Sequence, residues 1–195
     1  MSKKYSNTTA DHLSWDQNLN LIRRLYDDGD FKMSLLISMG SFWGLRISDL
    51  LCLKWVNVLG KDEFVLEEKK TGKSRAIKIN DQLQRHITDC HSQIKPHDLS
   101  NHIFLSQKGS VFSIQRINII FKTLKERYNL NVQNFSTHSM RKTFGREIFT
   151  KSGVNAELAL VKLSHLFNHS NTAVTRRYLG ISQEELKQTY DVLSF

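Results

Sequence analysis

Apolar residues recur at helical spacing in almost every segment from Ser113 to the C-terminus, and this pattern limits the fold more than any other feature. No proline and no glycine-rich linker interrupts that half of the chain. We therefore expect the C-terminal half to be all α. The predicted helices cover about 113–128, 138–152, 155–167, 171–178 and 182–193.

The N-terminal half carries helix start and stop signals of its own. Ser14 and Gln17 match a capping box, and the polar residues 27–29 end the helix that follows. Asn80 or Asp81 caps a later helix. The predicted helices of this half cover about 14–26, 31–42, 47–55 and 81–94.

The periodicity changes between residues 64 and 79, where apolar residues flank the basic turn Lys69-Lys70-Thr71-Gly72-Lys73. Two short apolar stretches joined by a turn that contains glycine are typical of a β-hairpin. Residues 103–105 are a candidate third strand. The predicted fold class is therefore mainly α with a small β-hairpin or three-stranded antiparallel sheet, an α+β arrangement.

Residues 1–12 are polar, with little apolar content, and we expect them to form a flexible N-terminal arm. Residues 13–195 contain neither an internal repeat nor a linker rich in proline or glycine, which favours one domain. A chain of 195 residues is long enough to bury a substantial apolar core.

The chain is basic, because 28 Lys and Arg against 19 Asp and Glu leave a net charge of +9. A positive field concentrates phosphates near the protein, and each cation that neutralises a phosphate releases counterions. Polyanions are therefore favoured partners. Excess charge by itself is also typical of a protein that is merely soluble.

Cys52 and Cys90 are the chain's two cysteines, so we expect neither a disulfide framework nor a thiolate metal site. No signal peptide and no apolar run of ~20 residues is present, which favours a cytoplasmic protein. We expect no cofactor and no metal. Six histidines lack the acidic or cysteine partners of a metal site: His12, His86, His91, His97, His102 and His165.

Two pairs of residues have the spacing of an anion site. His138 and Arg141 would share one face in the first turn of a helix capped by Ser136 or Thr137, near the positive end of its dipole. Taken alone, this pair is equally typical of a solvated basic helix start.

Arg46 is followed three positions later by Asp49, whose carboxylate has the spacing to hold the guanidinium in one orientation. The same spacing is common in ordinary surface ion pairs. Lys70, in the hairpin turn, has the reach to find a phosphate or a leaving oxygen, and Lys69 and Lys73 compete with it for that role.

A fourth cluster, residues 166–179, contains His169 and, nine positions later, Tyr178. Together with the first three clusters, in the same order, it resembles the tyrosine recombinase (phage integrase) family. That family has an arginine in a Gly-Leu-Arg-x-x-Glu stretch, a hairpin lysine, a His-x-x-Arg pair, and a Leu-Gly-His-Ser stretch followed by a tyrosine. The resemblance covers about residues 14–193.

The chain departs from the family pattern at two positions. Asp49 stands where the family has glutamate, which shortens the side chain and keeps the charge. Asn168 replaces the glycine before the histidine, and asparagine is the next best residue in the left-handed conformation that a helix C-terminus often requires.

The resemblance implies a site-specific recombinase or integrase in which Tyr178 attacks a DNA phosphate and forms a 3′-phosphotyrosyl link. Arg46, Arg141 and His169 would stabilise the charge on the phosphate, His138 would act as the base, and Lys70 would protonate the leaving 5′ oxygen. No cofactor or metal is implied.

The implied partners are double-stranded DNA and further copies of the chain, as a dimer or tetramer on DNA, with residues 182–193 as a docking helix. Little sequence precedes residue 14, so no separate core-binding domain is expected. The chain is then a piece of a longer protein or similar to fimbrial invertases that consist of the catalytic domain alone. The alternatives are a catalytically idle DNA-binding regulator and a type IB topoisomerase-like activity.

Overall fold

The computed structural model describes residues 10–181. The chain divides into two compact units, one ending at Thr143 and the other beginning at Phe144. The boundary falls within a helix, α7 (Thr137–Lys151). Residues 1–9 of the predicted arm and the predicted helix 182–193 lie outside the described residues.

The first unit is mainly helical, with one antiparallel hairpin. In chain order it contains α1 (Trp15–Asp27), α2 (Phe31–Trp43), α3 (Ile47–Leu50), α4 (Trp55–Val58), β1 (Glu63–Glu67), β2 (Ser74–Lys78), α5 (Asp81–Ile94), α6 (Ile114–Arg127) and the start of α7.

The second unit is helical throughout its described part. It contains the end of α7, a 3₁₀ turn (Gly153–Asn155), α8 (Ala156–Phe167) and α9 (Thr172–Leu179). Its core is formed by side chains of α8, of α9 and of the residue that follows Gly180, with Phe144 and Phe149 packed against them. None of the described helices is long and apolar enough to cross a membrane.

The predicted fold class is confirmed: the protein is mostly helical with a small antiparallel sheet. The described sheet has two strands, β1 and β2, with Phe64 opposite Ile77 and Glu67 opposite Ser74. The candidate third strand at 103–105 contributes only isolated bridges, such as that from Leu105 to Val111. Three residues offer too few backbone groups to extend the sheet.

Two of the predicted caps, those of α1 and α5, are confirmed. The Ser14 hydroxyl accepts from the Gln17 amide, and the Gln17 side chain accepts from the Ser14 amide, which completes the capping box of α1. At α5 the cap is Asn80, whose side chain accepts from the Leu83 amide at 2.9 Å. Two donors at the start of α1 and one at the start of α5 are thereby satisfied locally.

The prediction of one helix over residues 47–55 was wrong. The helix α3 ends at Leu50, Lys54 is extended with φ −107° and ψ 157°, and a separate helix, α4, begins at Trp55. Leu53 and Trp55 are both buried, and the extended residue between them is what lets both side chains point into the core. The Leu53 carbonyl accepts from Ile103, so tertiary pairing replaces a helical bond.

The described end of the N-terminal segment is tied to the loop before α7. The Asp11 amide donates to the Asn134 carbonyl at 2.9 Å, and its carboxylate accepts from the Gln133 and Asn134 amides. Leu13 is buried, and its amide donates to the Thr143 hydroxyl. The start of α7 is thus held from the N-terminal side.

The central helix of the first unit is α2, which is buried along nearly its whole length. Gly40 lies on the side that faces α7, and a Cβ at that position would come within 2.4 Å of the Met140 sulfur. Met140 directly precedes Arg141. The absence of a side chain at Gly40 therefore lets α7 approach α2 closely.

This contact predicts that the effects in a double-mutant cycle are not additive. Gly40→Ala should lower the free energy of unfolding by about 1–2 kcal/mol, since overpacking outweighs the gain in helix propensity. In a Met140→Ala background the same change should cost less, because the sulfur and its methyl group are gone and only the Cβ of residue 140, 3.0 Å from the added Cβ, remains close. Urea unfolding of the four proteins measures both effects. Destabilisation of equal size in both backgrounds would contradict the close approach.

Candidate functional site

Arg46 lies at the N-cap of α3, where its extended backbone turns the side chain out of the helix. One guanidinium nitrogen lies 2.7 Å from a carboxylate oxygen of Glu68, at the end of the β1 side of the hairpin. The Arg46 side chain is 21% exposed and that of Glu68 5%. A pair this enclosed holds the guanidinium in one orientation more firmly than a surface ion pair would.

The expectation that Asp49 orients Arg46 was wrong, since the carboxylate paired with Arg46 is that of Glu68. Asp49 is buried, and its Oδ1 accepts from the Lys69 amide at 3.1 Å. The i,i+3 argument fails because Arg46 is the N-cap residue and lies outside the helical turn. Asp49 instead binds the backbone of the hairpin to α3.

Arg141 is only 5% exposed, and its Nη1 donates to the carbonyl oxygen of Gly44 at 2.5 Å. Gly44 is the C-cap of α2, in the left-handed conformation with φ 59°. Arg46 follows Gly44 by two residues. The structure thus places the two predicted arginines at the same short stretch of backbone, which connects α2 to α3.

His138 lies one turn before Arg141 on α7, as the spacing predicts, and it is solvent-exposed. Partial desolvation, together with the positive charges of Arg141 and Lys142, lowers the pKa of His138 below its usual value. Its imidazole is therefore neutral at pH 7. A neutral imidazole beside cationic side chains can accept a proton.

The start of α7 is held by polar contacts on both sides of His138. The Ser136 amide donates to the Ser139 hydroxyl at 3.0 Å, and the Thr137 amide donates to the Asn118 side chain at 3.1 Å. These side chains occupy backbone donors at the helix start that would otherwise be available to an anion. Cationic side chains are left as the main groups at this end of α7 that could bind an anion.

Lys70 lies in the hairpin turn and is exposed, as are Lys69 and Lys73. The Lys69 amide is bound by Asp49. The Lys69 ammonium hydrogen-bonds to Cys52, and this contact raises the pKa of Lys69, so the ammonium stays charged. The position of Lys70 agrees with a lysine that reaches outward from the turn.

Tyr178 and His169 lie together in the second unit. Their ring centroids are 5.3 Å apart, and the Phe167 ring lies 5.6 Å from that of Tyr178, in edge-to-face contact. Nδ1 of His169 lies 3.0 Å from the Thr175 hydroxyl, which fixes the orientation of the imidazole. The aromatic contacts and the hydroxyl partner restrain both side chains.

The local sequence explains how this pair forms. Asn168 ends α8 in the left-handed conformation with φ 53°, as predicted for the residue that replaces glycine. The turn then brings the chain into α9, whose cap Asn171 accepts from the Val174 amide at 3.0 Å. Gly145 of α7 contacts Leu179 and Phe167, where a Cβ would clash at 2.6 Å and 3.1 Å.

Sequence reasoning missed Glu68 and Thr175. A signal for Glu68 is present in the alternation of β1, where Phe64 and Leu66 point inward and Glu68 continues the inward face. A carboxylate on an inward position needs a buried cationic partner. Thr175 follows from its helical position, three residues before Tyr178 on the same face of α9.

The predicted site residues fall into two groups. Arg46, Arg141, His138 and Lys70 lie in the first unit, and His169 and Tyr178 lie in the second. Each group is held by polar or aromatic contacts within its own unit. Cationic donors and a neutral imidazole in the first unit, and a restrained phenol in the second, are groups that can take part in metal-free attack on a phosphodiester.

Comparison with known proteins identifies the family to which the chain belongs. The model of the Phage integrase family matches residues 18–185 of the chain. A probable integrase/recombinase, YoeC of Bacillus subtilis (strain 168), is 32% identical over 149 residues, which is 76% of this chain and 77% of that protein. The chain therefore belongs to the phage integrase family.

Tyrosine recombinase XerD of Staphylococcus aureus (strain Mu50 / ATCC 700699) is 24% identical over an alignment that covers 97% of this chain and 64% of XerD. Among solved structures, XerA recombinase superposes with a TM-score of 0.73 at 18% identity, covering 95% of this chain and 66% of that one. XerH recombinase bound to difH gives 0.70 at 16% identity, with 98% and 55% covered. The chain thus spans under two thirds of the length of XerD, and these structures share its fold.

The position of His138 predicts its titration. Its pKa, followed by the NMR shift of the ring Cε1–H, should lie below 6.5, and Lys142→Met should raise it because one nearby positive charge is lost. His138→Gln assigns the signal, and the same histidine in concentrated urea provides the reference. A folded-state pKa at or above the urea value would show that the cationic surroundings do not act on this ring.

Proposed function

We propose that this chain is a site-specific recombinase that cleaves and rejoins double-stranded DNA through a 3′-phosphotyrosyl intermediate. The observation that carries the proposal is the packing of Tyr178 against His169, whose ring is oriented by Thr175, in a member of the phage integrase family. A tyrosine held beside a histidine donor is placed for nucleophilic attack on a phosphate.

In this proposal the first unit supplies charge stabilisation. Arg46 and Arg141 bind the non-bridging oxygens of the scissile phosphate, and both are restrained, by Glu68 and by the Gly44 carbonyl. Donors already oriented toward developing charge lower the barrier more than mobile ones, because little reorganisation remains. His169 adds a third donor from the second unit.

Proton transfers complete the reaction. The Tyr178 phenol transfers its proton to His138, which is neutral at pH 7, while the phenolic oxygen bonds to phosphorus. The bond from phosphorus to the 5′ oxygen breaks, and Lys70 donates the proton that makes this oxygen a hydroxyl. The phosphotyrosyl ester retains the bond energy, so another 5′-hydroxyl can reverse the step without ATP.

The proposed partner is double-stranded DNA, with two or four copies of the chain acting together. The net charge of +9 supports binding to phosphates. Structurally similar proteins have been seen on DNA: XerH in a post-cleavage complex with palindromic difH, and lambda integrase as a dimer on a COC′ core site. We place the activity in the bacterial cytoplasm or nucleoid.

The nucleophile is tested by Tyr178→Phe. The phenylalanine ring keeps the packing against Phe167 and His169, so the fold and the affinity for DNA should be unchanged. The covalent adduct with end-labelled suicide DNA should disappear on denaturing gels. Tyr26→Phe, in the first unit, is the matched control and should form the adduct normally.

Three results would contradict the nucleophile or the proposed activity. An adduct that persists in Tyr178→Phe would place the nucleophile elsewhere, and peptide mapping would locate it. Wild-type protein that binds DNA tightly but forms no adduct would favour the catalytically idle regulator. Strand relaxation without exchange between two sites would favour the topoisomerase-like activity.

The role of Lys70 predicts a dependence on the leaving group. Lys70→Ala should slow cleavage of normal DNA by roughly 10²-fold or more, the usual contribution of a general acid. The loss should be much smaller on DNA with sulfur at the 5′ bridging position, because a thiolate leaves without protonation. Lys108→Ala, an exposed turn lysine elsewhere, is the control. Equal losses on both substrates would exclude Lys70 as the acid, and Lys69 and Lys73 would be tested next.

A further inference from the structure

Glu68 is a charged residue on the inward face of the hairpin and is 4% exposed. Its neighbours on that face, Phe64 and Leu66, belong to the apolar core. Removing a carboxylate from water is costly unless cations and hydrogen-bond donors replace the lost hydration. Glu68 can therefore stay buried only while cations and hydrogen-bond donors contact its carboxylate.

Three side chains supply these contacts. Arg46 donates to Oε2 at 2.7 Å, and the Thr71 hydroxyl donates to the same oxygen at 3.0 Å. On the other oxygen, Oε1, a guanidinium nitrogen of Arg75 lies 3.6 Å away. Both oxygens of one carboxylate are engaged, by groups from α3, from the turn and from β2.

The backbone of Glu68 closes the turn that carries Lys70. Its amide donates to the Lys73 carbonyl at 3.0 Å, and its carbonyl accepts from the Gly72 amide at 2.8 Å and from the Thr71 amide at 3.2 Å. One residue thus fixes the turn through its backbone and Arg46 through its side chain. A shift of the turn would also move the carboxylate that Arg46 binds.

The charge of this carboxylate is maintained inside the protein. Burial alone would raise the pKa of Glu68, but hydrogen bonds from Arg46 and Thr71, with the charges of Arg46 and Arg75, outweigh burial and lower it. Glu68 is therefore ionised at neutral pH. An ionised carboxylate makes charge-assisted hydrogen bonds, which are shorter and stronger than neutral ones.

We infer that Glu68 is a positioning residue that holds Arg46 and the Lys70 turn in one fixed arrangement. The guanidinium that binds the phosphate and the lysine that protonates the leaving oxygen are thereby placed together. The inference rests on the proposed function. Glu68 acts through Arg46 and the turn and touches no reacting atom. Asp49, which binds the Lys69 amide, forms a second link between the same two segments.

The decisive variant is Glu68→Gln, which keeps the size and one acceptor oxygen of the side chain but removes its charge. Its matched control is Asp28→Asn, which removes the carboxylate paired with Arg127 at 2.8 Å at an exposed position. Both variants make the net charge one unit more positive, so their effects on nonspecific DNA affinity should be alike.

In cleavage assays at saturating suicide DNA, Glu68→Gln should lower the rate constant about tenfold. Displacement of Arg46 and Lys70 from their catalytic positions affects the transition state more than it affects DNA binding. Its Kd for DNA should match that of Asp28→Asn, which should cleave at the wild-type rate. A Glu68→Gln protein that cleaves as fast as wild type would overturn the inference. So would a loss that appears only in Kd.

A second measurement does not depend on chemistry. The Nη–H signals of Arg46, whose Nη1 donates to Glu68 and which are assigned by their loss in Arg46→Lys, should be resolved and slow to exchange with water in wild type, and averaged in Glu68→Gln. An Arg46 signal already averaged in wild type would overturn the positioning role even if cleavage slows. Wild type that shows this signal but forms no adduct would refute the proposed function and leave the structural link between Glu68 and Arg46 intact.

Discussion

A guanidinium ion that leaves water needs acceptors where it arrives, and the first unit depends on this requirement at Arg141. The acceptor is the carbonyl of Gly44, which ends α2 in a left-handed conformation. That one bond joins the start of α7 to the end of α2, and the chain continues from there to Arg46. The close packing of Met140 on Gly40 lies next to the same contact, so apolar packing and charge placement there depend on each other.

Much of this arrangement could be predicted because it depends on residues close in sequence. The capping box at Ser14, the left-handed Asn168 and the hairpin turn are local, and so is the helix that spaces His138 from Arg141. The pairing of Arg46 could not be read from spacing, since Glu68 reaches it only after the hairpin folds against α3. The break at Lys54 has the same origin, because its backbone pairs with residues far along the chain.

In the second unit, the placement of His169 beside Tyr178 depends on residues that are close in sequence. A helix end, a four-residue connection and a short helix place His169 and Tyr178 against each other, with Phe167 beneath both. Their spacing in sequence translates directly into contact in space, so recognition of the motif was enough to predict the pair. The motif does not contain Thr175, the hydroxyl that orients the histidine, and its position three residues before Tyr178 on α9 is the signal that the sequence offers for it.

The crowding of cations in the first unit links folding to ligand binding. Arg141 and Lys142 are both buried. Desolvation, together with the charges of these two cations, lowers the pKa of His138, and desolvation with the nearby charge of Arg46 lowers the pKa of Arg75 against the opposite effect of Glu68. Such repulsion makes the free protein less stable than its packing alone would allow, and a bound polyanion relieves it. Folding of the first unit and binding of a polyanion are thus coupled, and a bound polyanion should raise the melting temperature.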